Sequence, residues 1–347
     1  MTSNPSTTDV RKLQVTGGST YILSLPKKWV TQIGLEKGGR VRLERQNDGT
    51  IILMPEDFKS EDPSDATIHV AVNEPIDFIV RKIVSAYLVG YNVIYIRSTI
   101  GRLDHNQRSL IKEFTRKNLV GTEIIADSPR EMIIKVLLSY PELSVESALR
   151  RMCIITSSMH TDVMKALKTA DMPLVREVIY QDNEVDRFSL YIIRQLKAAI
   201  EDLNILKEIG LSTRRDCLGF RLITKTVERT ADHAVEIAEN IVNLQEPPSA
   251  ELYENIVRMS ESAISIFNQS IEILYKQDFE AANRIVQNAK MAASKQNELT
   301  AEILQLANQN KISCLSLIVE SIKRVAEYSS DIAEIVLNLN IDQLINS

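Results

Sequence analysis

An internal repeat constrains the fold of this chain more than any other feature of its sequence. The segment from Val227 to Leu244 aligns with the segment from Ile322 to Leu339, and seven of the 18 aligned pairs are identical. Each segment lies in the last of three consecutive stretches with helical periodicity. The six stretches cover 143–169, 171–207, 213–244, 249–277, 278–308 and 311–344. Repeated units of this kind bury, by stacking, apolar faces that one unit leaves exposed. We therefore expect two tandem three-helix repeats, over 143–245 and 246–347.

Scarce glycine also favours long helices. Only 11 of the 347 residues are glycine, whereas glycine averages roughly 7% of residues in proteins. The three cysteines are far apart in the sequence and form no C-x-x-C pair, so we expect buried free thiols. No apolar stretch approaches the roughly 18 residues of a membrane span, and the polar N-terminus has no signal-peptide pattern. We expect a cytoplasmic protein without membrane insertion.

The first 142 residues have a different character. Short strand patterns at 12–16, 19–24, 40–44 and 50–54, with turn signals at Gly17-Gly18 and Asn47-Asp48-Gly49, predict a small β domain over 1–55. An acidic linker over 56–66 follows. Strands at 67–72, 92–96 and 121–126 alternate with helices at 75–89 and 105–117, which predicts a small α/β domain over 67–142.

Charge is distributed unevenly along the chain. Residues 1–59 carry nine Lys/Arg and six Asp/Glu, a net charge of +3, so the remainder carries −5 − 3 = −8. A basic β domain on an acidic body places any nucleic-acid contact in the β domain. About 45 residues of short strands bury little surface alone, so dimerisation is a natural way to complete the core. The candidate residues for such a contact are Arg11, Lys12, Lys27, Lys28, Arg40, Arg42 and Arg45.

Carboxylates recur at helical spacing in the first repeat. Glu228, Asp232 and Glu236 are spaced i, i+4, i+8 and form one stripe, and the preceding helix adds Asp182 and Asp186 at i, i+4. One interpretation is a solvated face of an amphipathic helix. The other is a cluster of oxygen ligands for divalent or trivalent cations, built from facing helices of a bundle.

These motifs resemble those of the PhoU family. Asp182-Asn-Glu-Val-Asp186 and Glu228-Arg-Thr-Ala-Asp232-His233 are similar to its paired acidic motifs, and the two three-helix repeats match its architecture over about 200 residues. The resemblance implies a regulator of phosphate uptake that contacts phosphate transporter subunits. It also implies metal ions (iron, zinc, manganese or magnesium) held by Asp182, Asp186, Glu228 and Asp232. The second repeat has Ala289, Ala293 and Lys323 at three of the corresponding positions, leaving Glu327 and Asp331, so we expect its site to be degenerate.

The N-terminal domain resembles the AbrB (SpoVT–AbrB, MazE-like) swapped-hairpin family over roughly residues 10–55. The matching run is Ser24-Leu-Pro-Lys-Lys-Trp-Val30, then Ile33-Gly-Leu-Glu-Lys-Gly38, then the strand Arg40–Glu44. The resemblance implies an intertwined homodimer that binds double-stranded DNA. The family also includes domains that only dimerise or bind a protein partner.

The sequence therefore predicts a multidomain, mainly α chain: an N-terminal swapped-hairpin β domain, a small α/β middle domain and C-terminal tandem three-helix PhoU-like repeats. We expect a DNA-binding transcriptional regulator of phosphate homeostasis with a metal- or partner-sensing helical body. The alternative is a metal-binding adaptor that acts on a transporter or a signalling kinase, its head only dimerising. A carboxylate–metal enzyme is the third hypothesis, but no catalytic constellation supports it, so we expect no enzyme.

Overall fold

The computed structural model describes residues 8–45, 49–56, 65–137, 143–276 and 278–345. The chain divides into two compact units, Met1–Glu61 and Asp62–Ser347. We call the first unit the head. The second contains an α/β module followed by a helical body. No helix in the described ranges is long and apolar enough to cross a membrane.

The head consists of two separate antiparallel hairpins and one short helix. Strand β1 (Gln14–Thr16) pairs with β2 (Thr20–Ile22), and β3 (Val41–Arg45) pairs with β4 (Ile51–Pro55). Helix α1 (Lys27–Gln32) lies between the hairpins in sequence. Gly17 and Gly18 have φ of 59° and 81°, which is why glycine suits this turn. The second predicted turn is Asn47-Asp48-Gly49, and its first two residues lie outside the described residues.

The α/β module is a four-stranded mixed sheet covered on one face by two helices. Its elements are β5 (Asp65–Val70), α2 (Ile76–Val89), β6 (Val93–Ser98), α3 (His105–Asn118), β7 (Thr122–Asp127) and β8 (Glu131–Val136). The strand order is β5-β6-β8-β7; β5 and β6 are parallel, and the other neighbours are antiparallel. Alternate residues such as Ile94, Ile96, Met132 and Ile134 are buried beneath the helices.

Within the described residues from 143 onward, the helical body contains eight helices: α4 (Val145–Thr169), α5 (Met172–Glu201), α6 (Leu203–Glu208), α7 (Arg214–Asn243), α8 (Ala250–Lys276), α9 (Phe279–Ser294), α10 (Gln296–Ile303) and α11 (Gln309–Ile345). Ser144, Asp171, Thr213 and Asp278 each cap a helix by accepting a hydrogen bond from a first-turn amide. Helix α7 packs against both α5 and α11. One continuous apolar core therefore runs through both repeats.

Two helices that we predicted as continuous are divided. The pattern over 171–207 becomes α5 and α6, because the Asp202 side chain accepts a hydrogen bond from the Asn204 amide and starts a new helix. The pattern over 278–308 becomes α9 and α10, because the Lys295 amide turns back to the carbonyl of Ala292. The sequence reading also missed strand β8, although its residues alternate between buried and half-exposed or exposed.

A buried arginine joins the α/β module to the helical body. Arg194 of α5 is 3% exposed. Its guanidinium donates to the carbonyls of Gly90 at 2.9 Å and Tyr91 at 3.1 Å, and to that of Tyr87, at the C-terminal end of α2. The Asn92 side-chain oxygen accepts a further bond at 2.9 Å. The positive charge thus lies at the negative end of the α2 dipole.

The predicted fold class is confirmed: small hairpins precede an α/β module and a mainly helical remainder. The three free cysteines are buried, as expected. Exchange of hairpins between two chains stays a prediction.

Candidate metal site and candidate nucleic-acid surface

Helices α5 and α7 bring four carboxylates of the first repeat together. We call Asp182, Asp186, Glu228 and Asp232 the acidic cluster. All four are half-buried, because they lie along the seam where α5 packs against α7. The Ser189 hydroxyl of α5 donates to Glu228 of α7 across this seam, at 3.5 Å. The cluster is thus not a fully solvated helix face.

Burial and mutual repulsion raise the pKa values of three of these carboxyls. Burial, followed by the charges of Asp186, Asp232 and Glu228, raises the pKa of Asp182 to about 7. Burial and the charges of Glu228 and Asp232 raise the pKa of Asp186 to about 6. The pKa of Asp232 is also raised, first by burial and then by Glu228. Each group therefore resists carrying its charge in the absence of a nearby cation.

A lysine of α7 supplies positive charge to this cluster. The Lys225 ammonium lies 2.7 Å from Glu228 Oε1 and lowers the pKa values of Asp186 and Asp232. We did not single out Lys225 from the sequence, although its position three residues before Glu228 places it on the same helix face.

The acidic cluster suits a hard cation by its chemistry. All its donors are carboxylate oxygens, and Asp182 Oδ1 is buried without a hydrogen-bond partner among the described residues. Buried oxygen atoms without partners are uncommon and call for an ion, a water or another donor. As the side chains lie, however, no three His, Cys, Asp or Glu groups in the described ranges converge closely enough to hold a metal ion. The residues fit a metal ion in chemical type and burial, but their side chains do not converge on one point. Metal binding therefore stays a proposal.

Hydrogen bonds beside the cluster lead to the second repeat. His233 Nδ1 is 2.7 Å from Glu236 Oε2, and the Ser321 hydroxyl of α11 donates to the same oxygen at 3.0 Å. The His233 and Tyr328 rings are 5.6 Å apart. Glu236 thus belongs to the contact between α7 and α11.

The corresponding region of the second repeat is rich in ion pairs. Lys323 Nζ lies 3.7 Å from a Glu320 oxygen and 3.6 Å from a Glu327 oxygen. Arg324 contacts the same two carboxylates at 3.1 Å and 2.8 Å. Burial raises the pKa of Asp331, with Glu334 and Glu327 adding to the rise and Arg229 opposing it.

The seven basic residues predicted to bind DNA are all exposed. Lys27 and Lys28 begin α1, and Arg42 and Arg45 belong to β3. Arg11 pairs with Asp9 at 2.6 Å, and Arg40 lies 3.6 Å from Glu56. The others have no ion pair within the described part of the chain. These cations are therefore available to an anionic partner.

The head exposes apolar side chains as well. None of its residues in 8–45 and 49–56 is buried. Exposed fractions reach 63% at Leu13, 68% at Tyr21, 63% at Leu43 and 68% at Ile51. Apolar exposure on this scale marks a surface that is covered by a partner.

Both repeats match the PhoU domain, over residues 149–241 and 256–336. Residues 14–60 match the family described as antidote-toxin recognition MazE, bacterial antitoxin. The chain is 27% identical over 140 residues to the phosphate-specific transport system accessory protein PhoU homolog of Aquifex aeolicus (strain VF5). That alignment covers 40% of this chain and 62% of the relative, which is less than two thirds of its length.

Solved structures are also similar. The phosphate transport system regulatory protein PhoU from Streptococcus pneumoniae superposes with a TM-score of 0.50 at 20% identity, covering 56% of this chain and 92% of that one. PhoU from Pseudomonas aeruginosa gives a TM-score of 0.49 at 20% identity, with coverage of 56% and 94%. The first likeness shows a shared fold.

Proposed function

Because this chain belongs to the PhoU family, we propose that it is a DNA-binding transcriptional regulator of phosphate uptake whose helical body senses its signal through metal ions or a protein partner. One observation carries the proposal: the exposed cations of the head and the acidic cluster of the body lie on different units of one chain. The head supplies a surface for an anionic polymer, and the body supplies a site for cations. We propose no catalytic residue.

The proposed ligand of the head is double-stranded DNA. The candidate residues are Arg11, Lys12, Lys27, Lys28, Arg40, Arg42 and Arg45, all exposed. A pair of antiparallel strands fits the major groove, and lysine and arginine neutralise phosphates. The head would bind as a homodimer, since its exposed apolar residues need a second copy to form a core. Such a regulator acts in the cytoplasm.

The proposed cofactor of the body is a di- or trivalent cation: iron, zinc, manganese or magnesium. Asp182, Asp186, Glu228 and Asp232 would hold it, and its charge would offset their repulsion. The matched part of the Aquifex relative, whose name places it in phosphate transport, supports phosphate transporter subunits as the protein partner.

A second candidate function is an adaptor that carries metal and acts on a transporter or kinase, its head serving only to dimerise. The apolar exposure of the head favours it, because dimerisation alone accounts for Leu13, Tyr21, Leu43 and Ile51. DNA binding separates the two functions.

Binding of the full chain to promoter DNA, measured across a range of salt concentrations, tests the proposal. The variant K27A/K28A/R40A/R42A should bind more weakly, with a flatter dependence on salt, since each lost phosphate contact reduces the slope by about 0.9. The control K197A/K207A/R221A/K290A removes four exposed cations from the body and leaves the head intact. Equal weakening by both variants, or promoter binding by a chain lacking residues 1–59, would contradict DNA binding by the head, and absence of binding by the unaltered chain would favour the adaptor.

A further inference from the structure

We infer that the second repeat of this chain neutralises its carboxylates with its own lysine and arginine side chains and takes no metal ion. Each chain would then load metal in its first repeat only. The inference rests on the proposed metal site of that first repeat. It departs from what the twofold repeat implies, since two matching PhoU domains would otherwise offer two equivalent sites.

The facing helix of the second repeat offers no ligand. In α5, Asp182 and Asp186 point carboxylates into the seam with α7, where the charges of α7 raise their pKa values. The corresponding residues of α9 are Ala289, which is buried, and Ala293, which is half-buried. Methyl groups supply no coordinating atom. Any cation in this seam would depend on α11 alone.

In the second repeat, a lysine of α11 stands at the position where α7 has one of the proposed metal ligands. Lys323 corresponds to Glu228, and its ammonium lies within 3.7 Å of Glu320 and Glu327. Arg324 pairs with both carboxylates as well, at 3.1 Å and 2.8 Å. Glu327, the counterpart of Asp232, therefore already has two cationic partners.

Charge counts separate the two repeats. Among the described residues, the four carboxylates of the acidic cluster have one lysine beside them, Lys225, and no arginine ion pair. The second region has the carboxylates of Glu320, Glu327, Asp331 and Glu334 against the cations of Lys323, Arg324 and Arg229, four against three. A divalent ion would meet repulsion from these side chains at close range. The first repeat has the larger excess of negative charge for an added cation.

The backbone of the second repeat also differs from that of the first, immediately after the position of Ala293. Helix α5 continues unbroken from Asp186 to Glu201. Helix α9 ends at Ser294, immediately after Ala293, and the chain bends at Lys295 before α10 begins. The Gln296 side chain then donates to Glu320. The second seam is thus closed by polar contacts within the chain.

Manganese content of three full-length proteins tests the inference. The unaltered chain, D182N/D186N and E327Q/D331N are incubated with excess Mn²⁺, desalted and measured by elemental analysis, with circular dichroism as a check on folding. The second variant is the matched control, since it neutralises two carboxylates of the other repeat. We expect E327Q/D331N to keep the full manganese content and D182N/D186N to lose at least nine tenths of it. Loss of manganese from E327Q/D331N would overturn the inference.

A gain-of-binding variant separates failure of the inference from failure of the proposed metal site. K323E/A293D restores two carboxylates and removes the lysine, while buried Ala289 is left alone. We expect it to bind more manganese than the unaltered chain. If the unaltered chain binds none and this variant binds some, the proposed site fails and the inference stands. If the unaltered chain binds manganese and this variant gains none, Lys323 is not what excludes the ion.

Discussion

At the scale of single residues, the acidic cluster shows what spacing predicts and what it leaves open. The spacing of Asp182 with Asp186, and of Glu228 with Asp232, indicates two acidic stripes. Whether a stripe faces solvent or a neighbouring helix depends on how α5 and α7 rotate against each other, which is decided by packing over the whole bundle. The half-burial of the four carboxylates follows from that packing, whereas Lys225 lies among them because it precedes Glu228 by three residues on α7.

The acidic cluster should destabilise the metal-free chain at neutral pH. The pKa of Asp182 is raised from 3.8 to about 7, so the folded state favours the protonated form, and the stability this gives is lost as pH rises from about 4 through 7. We predict that D182N/D186N, in chelator at pH 8, is more stable than the unaltered chain by about 1–3 kcal/mol after allowance for solvent screening. Urea unfolding measures this difference, and a less stable variant would contradict it.

A buried histidine gives a second dependence on pH, of opposite sign. His160 is 1% exposed, and its Nε2 lies 2.7 Å from the Thr230 carbonyl. Burial lowers the pKa of His160 from 6.5 to about 4, despite that bond. The folded state therefore favours the neutral form of the His160 side chain. The stability that this preference gives is lost as pH falls from 6.5 through 4.

We predict that H160Q removes about 3 kcal/mol of this pH dependence, because glutamine retains a side-chain N–H donor but does not titrate. The measurement is the free energy of unfolding at pH 7 and pH 4, compared between the variant and the unaltered chain. H69N, at an exposed histidine, is the control and should leave the profile unchanged. Identical profiles for H160Q and the unaltered chain would show that folding leaves the pKa of His160 unshifted.

At the scale of elements, periodicity located the helices and most strands but not every break. Apolar residues keep their helical spacing through Asp202 and Lys295, so the sequence reads as continuous where the backbone turns. Those breaks come from side-chain and backbone hydrogen bonds that compete with the helix. Strand β8 is short, and its hydrogen-bonding partners, β6 and β7, precede it in sequence, so its pairing could not be derived from local pattern alone.

The head is the element least able to fold alone, because none of its described residues is buried. We predict that a fragment of residues 1–55 is dimeric in sedimentation and loses its strand signal in circular dichroism on dilution, since unfolding is then linked to dissociation. The full chain lacking residues 1–59 is the control for any contact between helical bodies. A fragment that stays folded as a monomer would contradict the intertwined dimer.

At the scale of the whole molecule, Arg194 matters more than its place in the sequence suggests. No motif distinguishes it, because its partners are backbone carbonyls about 100 residues away. We predict that R194M costs about 1–3 kcal/mol, since it removes the donor from the half-buried carbonyls of Gly90 and Tyr91. R176M, at an exposed arginine of the same helix, should change stability by less than about 0.5 kcal/mol. Thermal unfolding of both variants checks this, and equal effects would rule out the proposed link.

From the link through Arg194 we predict that the α/β module and the helical body stay together without a covalent connection. The Arg194 guanidinium of α5 holds the module from the body side, by bonds to the carbonyls of Gly90 at 2.9 Å and Tyr91 at 3.1 Å. A protease site inserted between residues 137 and 143 should therefore yield two fragments that migrate together after cleavage. The same cut in an R194M background should let them separate. The two fragments would then form a non-covalent complex, held by the buried Arg194 side chain and by the packed surface around it.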